Sequence, residues 1–422
     1  MRFSRSLAGA LGALAILAPP AAAADITFDG RTLVVRDAEE AGLVLRGARL
    51  EVDFGRDGDP EFLVPRSRFD SVRVNDVGTL ALEGGRFELA AVDETVRVSG
   101  KFEAELDRVG IVRIAGTDAS DVLSVGDLSA TDTFQVAAAL GAGADRITIA
   151  GGEDDDQISI GAFGVLGPTY VTFEGAEVAD RLVVDGAAGD DIVSASVATM
   201  TLTLAGGSGD NTLLGGPGDD TLLGGDGFDD VRGGAGHDVA KLGGNFDRFS
   251  WRSGDGSDVV DGGESRDSLF FEGSNASEAS VLKADGRALR LTHSTGSTVM
   301  ALTNLEEVDA VLGGGADTFS VGDLRRTPTQ LVDVSLAPLP ITAGGDGQPD
   351  RVTVDATPDH DALTLTGQIV VAGTATLTGL AHTVNVSHAE AADTLAIDTL
   401  AGQDTVDTSG LQAGTIGVQV FD

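Results

Sequence analysis

The sequence predicts an all-β fold: a flattened right-handed solenoid coiled on nine-residue turns, flanked by two related β-rich modules. Three observations carry that prediction. A nine-residue unit opening on a glycine pair runs in tandem through the centre of the chain, as GGSGDNTLL (206–214), GGPGDDTLL (215–223), GGDGFDDVR (224–232) and GGAGHDVAK (233–241). Outside it, TMTLTLAG (199–206), LRLTH (289–293), VTVDA (352–356), ALTLTG (362–367) and TVNVS (383–387) alternate apolar and polar residues and favour β-branched types. That is the two-residue period of a half-buried strand. Finally, the 422 residues include 59 glycines, no cysteine and only 5% aromatics. A broad core lacks the large side chains to fill it and the disulfides to staple it, so a thin core built coil by coil fits better.

The elements follow in chain order. Residues 1–24 read as an export signal. Arg2 and Arg5 precede an apolar stretch at 7–17, and Pro19, Pro20 and the alanines 21–24 supply a small-residue cleavage region before Asp25. The apolar stretch is short for a bilayer span, and no later segment is long and apolar enough for a transmembrane helix. The expected destination is outside the cytoplasm, secreted or cell-surface associated, with the periplasm as the alternative. The 67 acidic against 28 basic residues give a net charge of −39. Such a surface repels nucleic acid and anionic lipid, and a multivalent cation is its natural counter-charge.

Residues 25–205 form the first β-rich module and residues 271–422 the second. DVLSVGDL (121–128) returns as DTFSVGDL (317–324), DRITI (145–149) as DRVTV (350–354), and EVADRLVVDGAAGDDIVSAS (177–196) as EAADTLAIDTLAGQDTVDTS (390–409). The preserved order predicts two copies of one module, whether solenoid or sandwich. The nearest approach to a helical run, 93–106, is broken by β-branched residues and glycine.

Between the modules lies the nonapeptide array, 206–270 with its core at 206–241. SGDGSDVVD (253–261) and GGESRDSLF (262–270) follow an eleven-residue spacer, and the looser GAAGDDIVS (186–194) precedes the tandem units. In a unit G-G-x-G-x-D-x-U-x the last four residues suit a short strand. U (Leu213, Leu222, Val231, Val260, Leu269) then points inward. The glycine-rich half turns the chain with φ values that glycine adopts cheaply. Two units make one coil, so sixth-position side chains of alternate units stack. On one edge these are Asp191, Asn211, Asp229 and Asp267, with Asp247 of the spacer as a further candidate; on the other they are Asp220, Asp238 and Asp258. Coils about 4.8 Å apart would set carboxylates repelling by roughly 3 kcal/mol at an effective dielectric of 20. Several Ca²⁺ ions, bound to oxygen at about 2.4 Å, match that spacing better than Mg²⁺ does.

This pattern resembles the RTX, or haemolysin-type calcium-binding, repeat of exported bacterial proteins. The resemblance implies a parallel β-roll, or β-helix, with calcium held between the turns. Its metal ligands would be the sixth-position residues together with carbonyls of turn glycines such as Gly216, Gly218, Gly225, Gly227, Gly234 and Gly236. Three departures stand out: Asn211 removes a charge, Ala240 replaces a large apolar residue, and Ser265 replaces the fourth-position glycine. The flanking phrases GGGADTFSVGDL (313–324) and EAADTLAIDTLAGQDTVDTSGL (390–411) also resemble those of long repetitive bacterial calcium-binding proteins.

No catalytic pattern emerges. The histidines at 237, 293, 360, 382 and 388 form no H-E-x-x-H, and there is no G-x-S-x-G elbow and no cysteine nucleophile. His237 reads as a solvated side chain, and 359–361 as a polar turn; 154–156 reads equally as a solvated turn or a further cation site. The expected function is a calcium-stabilised structural, adhesive or cell-surface role, with surface polysaccharide or proteins as partners and without enzymatic activity. The alternative is an extracellular polysaccharide-acting enzyme, lyase- or epimerase-like, carrying the array as an appendage.

Overall fold

A computed structural model describes residues 25–421, apart from 30, 47–48, 55–61, 66–70, 84–85, 93–94, 101–103, 118, 132, 134, 178, 196–200, 340–343 and 370–371. The predicted export signal lies outside the described residues. Two compact units form, Met1–Ala205 and Gly206–Asp422; the array and the second module share the latter. Among the described residues the regular elements are strands, with one short 3₁₀ turn at Thr295–Ser297.

In the array of the second unit, parallel strands pair with the strand after next, and beyond it some pair with strands further along the chain. Thr212–Leu214, Asp230–Arg232, Arg248–Arg252, Ser268–Glu272, Glu307–Val311, Leu331–Ser335 and Thr383–Ala389 stack on one side. Thr221–Asp226, Val239–Gly244, Val259–Gly263 and Thr298–Thr303 stack on the other. The spacer after the fourth tandem unit therefore occupies a regular place, its strand Arg248–Arg252 lying between Asp230–Arg232 and Ser268–Glu272. Each strand alternates inward and outward, and all five predicted U residues are fully buried. Ala240 is buried as well; the residue two further on is Leu242, inward and fully covered where the preceding coil has Gly224. Trp251 lies flat on Phe271 at 5.1 Å and donates its indole N–H to the Gly256 carbonyl.

Both units settle the flanks as coils of parallel strands rather than sandwiches. In the first unit Val122–Val125, Arg146–Ala150 and Arg181–Ala188 pair in parallel. In the second, Thr318–Val321, Arg351–Asp355 and Thr394–Asp398 do the same. These are the strands of the duplicated phrases, each entered from an aspartate: Asp121, Asp145 and Asp180, then Asp317, Asp350 and Asp393. The flanking coils are longer because antiparallel strands are inserted, as at Gln157–Gly161, Gly164–Leu166 and Tyr170–Glu174. In the run nearest to a helix, 93–106, the described residues belong to the strands Thr95–Gly100 and Ala104–Ala115.

Candidate metal centre

Each sixth-position acid sits at the mouth of a strand, where the chain leaves its turn. Its side chain folds inward: Asp191, Asn211, Asp220, Asp229, Asp238, Asp247, Asp258 and Asp267 are all 3% exposed or less. The expectation that stacked carboxylates simply face one another needs correcting. In Asp191, Asp229, Asp238, Asp247, Asp258 and Asp267 one oxygen is spent on the coil before it. The Asn211 N–H donates to Asp229 Oδ1 at 2.9 Å, Asp229 N–H to Asp247 Oδ1 at 2.9 Å, and Asp247 N–H to Asp267 Oδ1 at 2.9 Å. On the other edge Asp220 N–H donates to Asp238 Oδ1 and Asp238 N–H to Asp258 Oδ1, at 2.8 and 3.0 Å. Asp191 serves the first unit in the same way, accepting the Asp156 N–H at 2.8 Å. Oδ1 is thus a coil-to-coil clamp, and any demand for a cation falls on Oδ2.

The second oxygen divides the turns into two kinds. In some, the N–H four residues earlier closes onto it: Gly152 onto Asp156, Gly216 onto Asp220, Ser274 onto Glu278 and Thr357 onto Asp361, at 2.8–2.9 Å. None of these donors has a positive φ. In others the residue at that position has swung into positive φ: Gly225 (131°), Gly234 (98°), Gly243 (123°), Gly254 (102°) and Gly263 (104°). There the carboxylates of Asp229, Asp238, Asp247, Asp258 and Asp267 keep a buried Oδ2 with no hydrogen-bond partner among the described residues. A buried carboxylate oxygen without a donor is costly, and a bound cation is the standard remedy. Asp220 therefore differs from its neighbours. Its Gly216 stays out of positive φ, and Pro217 after it disfavours helical backbone there.

Asn211 supplies an internal control. A β-carbon added at Gly206 would meet Asn211 Nδ2 at 2.6 Å, just as one at Gly224 would meet Asp229 Oδ2 at 2.5 Å and one at Gly262 would meet Asp267 Oδ2 at 2.7 Å. The amide nitrogen thus stands where the aspartates put Oδ2, and it donates to the Gly209 carbonyl at 2.9 Å. At the aspartates an oxygen takes that donor's place, so a cation is needed between acceptors. The same contacts define the first glycine. In the repeats that open on glycine it leaves room for the carboxylate and, in most of them, for a backbone carbonyl of the next coil, whereas positive φ belongs to positions two and four.

Electrostatics agree. Burial pushes Asp238 and Asp247 up to about 7 and Asp258 and Asp267 up to about 6; the inter-coil N–H bonds oppose the rise, and neighbouring carboxylates add to it. Asp191 and Asp229 are raised for the same leading reason. An uncompensated negative charge is disfavoured at all six positions.

Of the predicted carbonyl ligands, Gly218, Gly225, Gly227, Gly234 and Gly236 lie at positive φ, and Gly216 does not. Three non-glycine residues occupy positions of this kind: Ala187 (79°), Asn245 (74°) and Ser265 (88°). Left-handed backbone costs a residue with a β-carbon about 1–2 kcal/mol, less for asparagine. Ser265→Gly and Ala187→Gly are each expected to stabilise the protein by about 1 kcal/mol, and Asn245→Gly by clearly less. Urea midpoints in calcium check this ordering; a loss of stability in Ser265→Gly would contradict it.

The RTX calcium-binding nonapeptide repeat family matches residues 205–240 and 252–275, in four copies. These turns are RTX calcium-binding repeats. The RTX array holds several Ca²⁺ ions, and the donor set fits them: buried carboxylate oxygens without hydrogen-bond donors, at glycine-rich turns. The spacer lies between the matched segments, yet its Asp247 has the same geometry as the repeats. Comparison with curated proteins finds no match for the chain.

The remaining candidates fall elsewhere. His237 is exposed beside Asp219, 3.6 Å away. At 154–156, Asp156 is satisfied by Gly152, and Asp155 Oδ1 accepts the Asp190 N–H at 2.8 Å. At 359–361, Asp361 closes its own turn and Asp359 pairs with Arg325. A buried cluster escaped sequence reasoning, because its members lie far apart along the chain. His293 is bonded to Ser280 Oγ at 2.9 Å through Nδ1 and lies 3.3 Å from Glu278 through Nε2. Glu278 also accepts from Ser253 and Thr295 at 2.7 Å each, and the group is covered. On the outer face Glu307, Asp309 and Asp333 bring carboxylate oxygens within 4.8 Å of one another. Arg266 pairs with Glu307 at 2.8 Å, and Asn385 donates to Asp333 at 2.6 Å. Beside them a shallow groove of about 530 Å³ is lined by Phe228, Phe246, Arg248, Arg266, Ser268 and Glu307.

Proposed function

We propose that the protein is exported and acts as a calcium-stiffened β-solenoid at the cell surface or in the extracellular matrix, holding other macromolecules rather than transforming them. The buried Oδ2 atoms of Asp229, Asp238, Asp247, Asp258 and Asp267 carry this reading. They would supply the charged ligands, and turn carbonyls would complete the shell. Asn211 needs no ion of its own, and Asp220 has its second oxygen satisfied by a backbone N–H. Coils that depend on calcium stay loose at low cytosolic calcium and stiffen outside the cell, which suits export before folding. The exposed Phe228 and Phe246, with ring centroids 5.8 Å apart beside Arg248 and Glu307, give the outer face aromatic and charged groups suited to polysaccharide or protein partners.

Cell fractionation with N-terminal sequencing tests the reading. The chain is expected outside the cytoplasm and beginning near Asp25, with calcium chelation converting it to a protease-sensitive form. Protein retained in the cytoplasm with residues 1–24 intact would overturn the export reading.

A further inference from the structure

We propose that two turns outside the repeat array, 140–145 in the first unit and 312–317 in the second, each bind a calcium ion. The inference rests on the calcium reading of the array and extends it to turns that the repeat family does not match. The turns read LGAGAD and LGGGAD, and neither opens on a glycine pair. Their closest counterpart is the array's spacer turn, LGGNFD at 242–247. All three place a buried leucine where a typical repeat has its first glycine.

The geometry carries every mark of an array turn whose second oxygen is unpaired. Gly141 and Gly143 have φ of 79° and 133°; Gly313 and Gly315 have φ of 90° and 116°. Asp145 and Asp317 are each 2% exposed. Asp145 Oδ1 accepts the Asp121 N–H at 2.8 Å, and Asp317 Oδ1 accepts the Glu278 N–H at 2.7 Å. In both residues Oδ2 is buried with no hydrogen-bond partner among the described residues.

Neighbouring turns of the same modules show the alternative. Asp121 Oδ2 accepts the Thr117 N–H at 2.5 Å, Asp180 Oδ2 the Glu177 N–H at 2.6 Å, and Asp393 Oδ2 the Glu390 N–H at 2.6 Å. Those acids are complete without a metal. Positive φ at Gly141 and Gly313, four residues before each acid, turns that N–H away and leaves Oδ2 without a donor. Around Asp317 the charge is also one-sided, since Glu278 and Asp346 both lie close enough to oppose its ionisation. A hard divalent cation with oxygen ligands answers both deficits, and calcium is the ion that the repeats of the same chain hold.

Calcium counting by native mass spectrometry on the full chain tests the proposal, comparing the wild type with Asp145→Asn, Asp317→Asn and an array control, Asp238→Asn. Asparagine keeps Oδ1 for the inter-coil clamp, and its amide can donate to a turn carbonyl as Asn211 does. Each of the two flank variants is expected to bind one ion fewer than the wild type, with the array ions retained. Unchanged counts in both, alongside a drop in Asp238→Asn, would overturn this proposal and leave the array reading standing; a loss in one variant alone would overturn it for the other turn. No drop in Asp238→Asn would count against the array reading itself. Should a variant misfold, anomalous diffraction from calcium-grown crystals of the unmodified protein decides. Peaks beside Asp145 and Asp317 support the sites; their absence, with peaks present beside Asp238 and Asp258, overturns them.

Discussion

Stripping calcium is expected to collapse the cooperative unfolding transition of Gly206–Asp422. A site held at a hundred times its dissociation constant contributes about 2.7 kcal/mol, and typical whole-domain stabilities are about 5–15 kcal/mol. Two or three ions of the array thus rival the entire stability of an ordinary domain. Calorimetry or circular dichroism with excess chelator should show the transition broadened and moved down by tens of degrees. An identical transition with and without calcium would sink the metal reading.

The pH dependence should change sign with the metal. Without calcium, the raised carboxyls of Asp238, Asp247, Asp258 and Asp267 (about 6 to 7, against 3.8 unfolded) bind protons more readily in the folded state. Their contribution is fully present below pH 3.8 and is lost as pH rises through 6 to 7, so the calcium-free protein should gain stability on going from pH 7 to 5.5. His382 works the other way. Burial lowers it to about 4 and lowers His293 as well, so their contribution is present above 6.5 and is lost as pH falls; two histidines are outweighed by four acids in that window. With calcium bound, protons compete with the ion for the same oxygens, and acidification over the same range should destabilise. Equal slopes in the two conditions would contradict the assignment of these oxygens to the metal.

Gly225→Ala and Gly236→Ala are expected to be among the most damaging single changes in the array, at more than about 3 kcal/mol each. Gly225 has φ of 131° and Gly236 of 144°, so a β-carbon is already strained there. It would also strike the carbonyl oxygen of the glycine one coil away, Gly207 or Gly218. Backbone held by its own hydrogen-bonded ladder has no rotamer by which to yield. Gly218→Ala is the matched control, with φ of 140° and open space where its β-carbon would go, and should cost only the conformational strain of about 1–2 kcal/mol. Urea titrations in saturating calcium compare the three; a Gly225→Ala no worse than Gly218→Ala would refute the stacking argument.

Much of this architecture is legible in the chain. The nine-residue period places Leu213, Leu222, Val231, Val260 and Leu269 inside and the sixth-position acids at the turns, because strand alternation and glycine's backbone freedom are local rules. The spacer was legible by its length, and its Asp247 by its phase. The flanks were not readable as coils, since their antiparallel insertions stretch the period to 35 residues between Gln135 and Tyr170 and 39 between Ser268 and Glu307. The Glu307, Asp309 and Asp333 cluster was invisible for the same reason, drawing on two coils at once.

The repeat therefore dictated strand, turn and the chemistry of the ligand type, all of which depend on residues within nine of one another. Which oxygen of each carboxylate is left for a metal depended on contacts between coils. Oδ1 is taken by an N–H 18 to 43 residues away, and Oδ2 is closed or left open by the φ of one turn residue. That is why Asp220 and Asp229, identical in motif, part company in the folded chain, and why Asp145 and Asp317, outside the motif, join the array's unpaired acids. Stacking brings remote backbone against each side chain, and a periodic pattern holds no record of that neighbour.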